Sequence, residues 1–156
     1  TYLGIQKKRV HTYLKDPDAR MRRLWRRAEE YVLEFDNVCR ENGIECMVHL
    51  IPAEMQVDPD VADQVFRGLA LDPSDYDLEL PQRRLVALCE RSGIPVLDPL
   101  ERLRQEHSAG ARLYLPNDTH WNVRGNRLAG RMLAEFILKE FEPEAGSRAD
   151  GRAVRD

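Results

Sequence analysis

The eight residues Ile44-Glu45-Cys46-Met47-Val48-His49-Leu50-Ile51 constrain this chain most. Cys46, Met47, Val48, Leu50 and Ile51 make a nearly continuous apolar run. Such a run fits a strand covered on both faces, not one with a wet face, which would alternate apolar and polar residues. Pro52 stops it, because proline cannot donate to a sheet ladder. Two-sided cover must come from helices, so the segments on either side of this run decide the fold class.

Both sides read as helical. Asp16-Pro17-Asp18 is a start signal, with Asp16 as cap and Pro17 in the first turn. Leu24, Ala28, Tyr31, Phe35 and Val38 then recur at spacings of four and three, which predicts one buried stripe over four turns. Asn42-Gly43 ends that helix. After the strand, Ala53 to Asp60 is a loop, and Pro59 opens a short helix with Val61, Val65, Phe66 and Leu69 on one side. Leu71 to Leu80 is a loop rich in Asp and Pro. Pro81 begins a helix that Gly93 ends, and Ile94 to Leu97 is a second short strand. Asp98-Pro99 caps a helix from about Leu100 to Glu106, and Ala111 to Leu115 is a strand-like run. The last helix runs from Val123 to about Phe141, burying Leu128, Met132, Leu133, Phe136 and Ile137. Residues 142–156 contain little that is apolar and read as a disordered tail. Residues 1–15 carry no clear periodicity. The order gives an α/β domain over residues 1–141 with a small parallel sheet.

Composition narrows the function classes. A formal charge of −3 argues against a broad nucleic-acid footprint. No apolar run approaches the roughly 18 residues of a membrane span. Cys39, Cys46 and Cys89 fit no zinc spacing and read as free thiols acting as small apolar residues. The acids Asp72, Asp75, Asp77 and Glu79 lack the glycine and terminal glutamate of a calcium loop. No cofactor is implied.

The chemistry-bearing stretch is Leu113-Tyr114-Leu115-Pro116-Asn117-Asp118-Thr119-His120-Trp121-Asn122-Val123-Arg124-Gly125-Asn126. An apolar run meets a turn at Pro116-Asn117-Asp118, and Asn122 is placed to cap the last helix. Asp118 and His120 therefore lie on a loop beyond a strand, where open α/β folds place their ligands. Residues two apart in extended chain project to one side, so the Asp118 carboxylate is expected on Nδ1 of His120, with Nε2 outward. A carboxylate there fixes the tautomer of a histidine that can take and return a proton. On these residues alone, the plainer reading comes first: a turn aspartate capping the helix beside a packed His-Trp pair. Glu54 and Gln56, leaving the end of the first strand, would open on the same side and line a pocket with Trp121 and Asn122. A metal site built on Asp118, His120 and His49 is a third reading.

The string Asp118-Thr119-His120-Trp121-Asn122 with Gly125-Asn126 resembles the last block of the SGNH (GDSL-like) hydrolases, which carries the Asp and His of a Ser-His-Asp triad. His49-Leu50-Ile51-Pro52-Ala53-Glu54-Met55-Gln56-Val57, Leu80-Pro81-Gln82-Arg83-Arg84-Leu85 and Gly93-Ile94-Pro95-Val96-Leu97-Asp98 look like the C-terminal half of such proteins. The likeness spans roughly Leu33 to Phe141, and its Asp-x-His spacing is similar to the alginate-modifying polysaccharide O-acetyltransferases; the commoner family spacing is Asp-x-x-His. It implies the C-terminal part of a three-layer α/β/α fold, with His120 as general base and then acid and Asp118 orienting it. It further implies an esterase or O-acyltransferase acting on acyl esters, carbohydrate O-acetyl groups foremost, in a bacterial periplasmic or extracytoplasmic setting. Two departures stand out. The family's pattern leads one to expect Lys where Glu54 stands. No Gly-Asp-Ser block occurs, and Ser74, Ser92, Ser108 and Ser147 lie in other contexts. The nucleophile is thus expected outside this sequence, with the missing half of the domain or a second chain covering the sheet edge. The alternative is a non-catalytic polysaccharide-binding or assembly module that retains the fold.

Overall fold

The computed structural model describes residues 1–141. The tail reading, on 142–156, lies outside the described residues.

The parallel sheet is present but small. Strand β1 is Val48–His49 and β2 is Val96–Leu97, paired in parallel with Val48 opposite Val96 and His49 opposite Leu97. Backbone bonds from Val48 N to Pro95 O (2.8 Å) and from Leu50 N to Leu97 O (2.9 Å) extend the ladder at each end. The expected strand from Ile44 to Ile51 is thus cut to its centre, and Ile44 (59% exposed) and Ile51 (71%) lie open. A strand extends only as far as it has a partner, and β2 offers two residues.

Among the described residues there are seven α-helices: α1 Tyr2–Arg9, α2 Ala19–Glu41, α3 Glu54–Val57, α4 Pro59–Gly68, α5 Leu80–Ser92, α6 Leu100–Ser108 and α7 Val123–Phe141. The crossover from β1 to β2 runs through α3, α4 and α5, the helical connection a parallel pair requires. Helix α5 ends in a left-handed Gly93 (φ 66°), which lets the chain turn sharply into β2.

Three expectations are corrected. Helix α2 is capped by Asp18, which accepts from Met21 N at 2.6 Å, and not by Asp16. Its buried face is also different. Trp25 and Cys39 are buried, whereas Leu24, Tyr31, Phe35 and Val38 are exposed, at 51–63%. The helix has two apolar edges, and the body of the protein takes the one with the indole. Arg84 of α5 stacks on Trp25 at 5.0 Å and bonds Glu29 at 2.7 Å, fixing the choice. On α7, Ile137 is exposed. The unassigned first residues form α1 and a 3-10 turn, Val10–Tyr13, whose Val10 and Tyr13 are core residues.

The core has two centres. One joins Val10, Tyr13, Met55, Ala62, Val65 and Phe66. The other joins Val57, Leu100, Leu103, Ala111, Leu113, Tyr114 and Leu128, with Trp121 packed on its edge. The second is the platform for the Asp-x-His loop. Cys39 and Cys89 are buried, Cys46 is half-buried, and all three are free thiols.

Candidate active site

The loop from Leu115 to Asn122 is a small hairpin built by its own sequence. Leu115 N donates to His120 O (3.0 Å), and Tyr114 and Trp121 form an antiparallel bridge. Asn117 takes the left-handed conformation at the tip (φ 54°), which asparagine tolerates better than most residues. Tyr114 anchors the base of the loop: its buried hydroxyl donates to Pro52 O at 2.9 Å, just beyond β1. Burial pushes that phenol above its ordinary pKa, so it stays a donor.

Asn122 joins this hairpin to α7. Its Oδ1 accepts from Arg124 N (2.8 Å) and Gly125 N (3.0 Å), which caps the helix. Its Nδ2 donates to Arg112 O (2.9 Å), and its own N–H donates to Leu113 O (2.9 Å). Gly125 sits where α7 crosses Leu113. A Cβ there would fall under 3.0 Å from the Leu113 carbonyl oxygen and 3.0 Å from Trp121 Cβ. Asn126 Nδ2 closes the corner on Trp121 O at 3.0 Å. The Asn-x-x-Gly-Asn spacing is therefore a joint that sets where His120 stands.

In that frame Asp118 Oδ1 lies 2.5 Å from His120 Nδ1. The same oxygen accepts from the backbone N–H of Thr119 (2.6 Å) and of His120 (3.0 Å). The bonds to His120 hold the Asp118 carboxyl below the usual carboxylate range. The His120 side chain is 79% exposed, and its Nε2 has no hydrogen-bond partner among the described residues. The arrangement can hold an imidazole with Nδ1–H toward a carboxylate and leave Nε2 open to take a proton.

The other candidates are distributed around this pair. Trp121 leaves the loop toward the core and lies 6.1 Å, centroid to centroid, from His49 at the end of β1. Neither Trp121 Nε1 nor His49 Nε2 has a partner among the described residues, and burial lowers the His49 pKa, keeping it neutral. Glu54, in the first turn of α3, accepts from Tyr2 Oη at 3.2 Å, and burial raises its pKa. It lines a cleft of about 360 Å³ with His107, Tyr114 and Asn117, beside the dyad loop. Gln56 is 5% exposed, and its amide is committed to a network with Tyr13 Oη, Ala53 N, Leu78 O and Gln82. It borders a different cleft, with Tyr13 and Trp25. The Tyr2–Glu54 bond has no signal in the sequence, since it joins residues 52 apart. Among the described residues no group of three His, Cys, Asp or Glu side chains is placed to hold a metal ion, so the geometry does not assemble His49 with Asp118 and His120.

A parallel strand pair with a helical crossover makes this an α/β domain, with the Asp-x-His pair on a loop beyond the sheet. The family model for the SGNH hydrolase-like domain of acetyltransferase AlgX matches residues 11–155, and the chain belongs to that family. The sequence matches no curated protein and no solved structure. No described helix is long and apolar enough to cross a membrane.

Proposed function

We propose that this domain supplies the base half of an acyl-transfer site acting on O-acyl, chiefly O-acetyl, esters of carbohydrate. The carrying observation is the 2.5 Å approach of Asp118 Oδ1 to His120 Nδ1 with Nε2 exposed. A serine on a segment outside these residues attacks the acyl carbonyl as Nε2 takes the hydroxyl proton. The tetrahedral intermediate collapses, and His120 returns that proton to the departing sugar oxygen, leaving an acyl-serine. Water or a second sugar hydroxyl, activated by the same Nε2, then takes the acyl group. Asp118 holds the ring and stabilises the imidazolium throughout. Within the described residues, Ser74, Ser92 and Ser108 make no hydrogen bond to His120, which supports an outside nucleophile. The unpaired outer edges of the two-stranded sheet and the exposed dyad support the same view, since an incoming segment would add strands there and exclude water from the pair.

Treatment of the protein carrying its serine segment with an organophosphonate tests this reading. The expected result is one serine adduct by mass spectrometry, lost in His120→Ala. Labelling that ignores His120 would sink it, and absence of any adduct would favour a binding module that keeps the fold.

A further inference from the structure

Positive charge is concentrated far from the dyad motif in sequence. Residues 1–27 hold nine Lys or Arg, two Asp and no Glu, in a chain whose formal charge is −3. The fold converts this run into a concave feature. Helix α1 and the first turns of α2 border a cleft of about 700 Å³, into which Lys7, Lys8, His11 and Arg20 face. Drug-sized ligand sites have volumes of this order. Lys7, Lys8 and Arg20 have no carboxylate within 4.0 Å among the described residues, unlike Arg22, Arg27, Arg40 and Arg83, which are paired. The only acid on the wall, Asp18, is already committed as the cap of α2, accepting from Met21 N. The remaining wall is apolar: Leu14, Met21 and Leu24, the last 51% exposed.

Unpaired cations around an apolar floor match a ligand with a multiply charged anionic group and an apolar remainder. A single carboxylate would leave most of that charge unanswered, whereas a phosphate ester presents two charges and three acceptor oxygens. We propose that this cleft binds a phosphorylated ligand with an apolar part, separately from the Asp118–His120 site. The phosphate could be that of a free phosphoester or of a lipid headgroup, and the two are separable by experiment.

Calorimetric titration of the purified chain with inorganic phosphate and with octyl phosphate below its micellar concentration tests the site, alongside sedimentation with vesicles of phosphatidylcholine with or without phosphatidic acid. Saturable binding of octyl phosphate, at least about tenfold tighter than inorganic phosphate, is expected from burial of a few methylenes. The triple variant Lys7→Ala/Lys8→Ala/Arg20→Ala should weaken it by about tenfold or more at low salt, as loss of three cations implies. All three residues are exposed, so the variant should fold. Arg91→Ala/Lys139→Ala, which removes the same type of charge elsewhere, should leave binding unchanged. Binding to octyl phosphate without vesicle binding assigns a soluble phosphoester; binding to the phosphatidic acid vesicles, lost in the triple variant, assigns a headgroup. Absence of both, or equal weakening by the two variants, overturns the proposal.

Discussion

Replacing Gly125 by alanine should destabilise the protein and loosen the dyad loop, although alanine is the better helix former. The added Cβ would stand under 3.0 Å from the Leu113 carbonyl oxygen, which is backbone and cannot rotate away. Relief requires α7 and the Leu113 segment to part by something approaching 1 Å, and such overpacking costs about 1–3 kcal/mol. The same movement stretches the 2.9 Å bond from Asn122 N to Leu113 O, whose loss adds about 1 kcal/mol. Helix propensity returns at most about 1 kcal/mol. The net loss is therefore about 2 kcal/mol, or about 4–8 °C in Tm for a domain of this size. Gly130 lies on the same helix with nothing within 4 Å of an added Cβ, so Gly130→Ala should hold or raise Tm. Thermal unfolding of the pair, with the His120 ring signals followed by NMR, separates the two sites. A Gly125→Ala protein that melts with wild type and keeps the His120 shifts would refute the close-packed joint.

Asp118→Asn should move the His120 Nδ1 resonance and change its tautomer balance, because a carboxylate is replaced by an amide; an unchanged 15N spectrum would contradict the contact. The folded carboxyl titrates below its unfolded value of about 3.9, so the stability it contributes is present above that pH and is lost as pH falls through the folded value. A carboxyl NMR titration with a midpoint at or above about 3.9 would reject that sign. Gln56→Ala should cost about 3 kcal/mol by denaturant unfolding, since it strands Ala53 N and Leu78 O inside the protein; a loss under about 1 kcal/mol would show the network to be dispensable. Trp25→Ala should cost about 3–5 kcal/mol, while Phe35→Ser on the other edge of α2 should stay within about 0.5 kcal/mol. The reverse order would restore the stripe read from the sequence.

The α/β class, the two parallel strands and their helical crossover were legible because apolar runs, prolines and Asn-Gly or Gly stops mark them directly. The Asp118–His120 contact was legible too, as two side chains two positions apart on a tight loop. Other features were hidden. Helix α2 carries two apolar edges, and periodicity ranks the longer one first; only the Arg84 contacts to Trp25 and Glu29, made by a distant helix, decide which is buried. Strand length was hidden because ladders depend on a partner. The role of residues 1–15 was hidden because α1 has little amphipathic pattern and is held by long-range contacts such as Tyr2 to Glu54. Gln56 read as a site residue from its place after β1, yet the structure turns it to Tyr13 and Gln82.

In the proposed reaction Nε2 of His120 moves the proton in acyl transfer. The most direct measurement is kcat/KM for an acetyl ester in the protein carrying the serine segment, for wild type and His120→Ala. A fall of about 10³-fold or more is expected for His120→Ala, as when a triad base is removed, with a smaller fall for Asp118→Asn. Turnover within about tenfold of wild type in His120→Ala would contradict it.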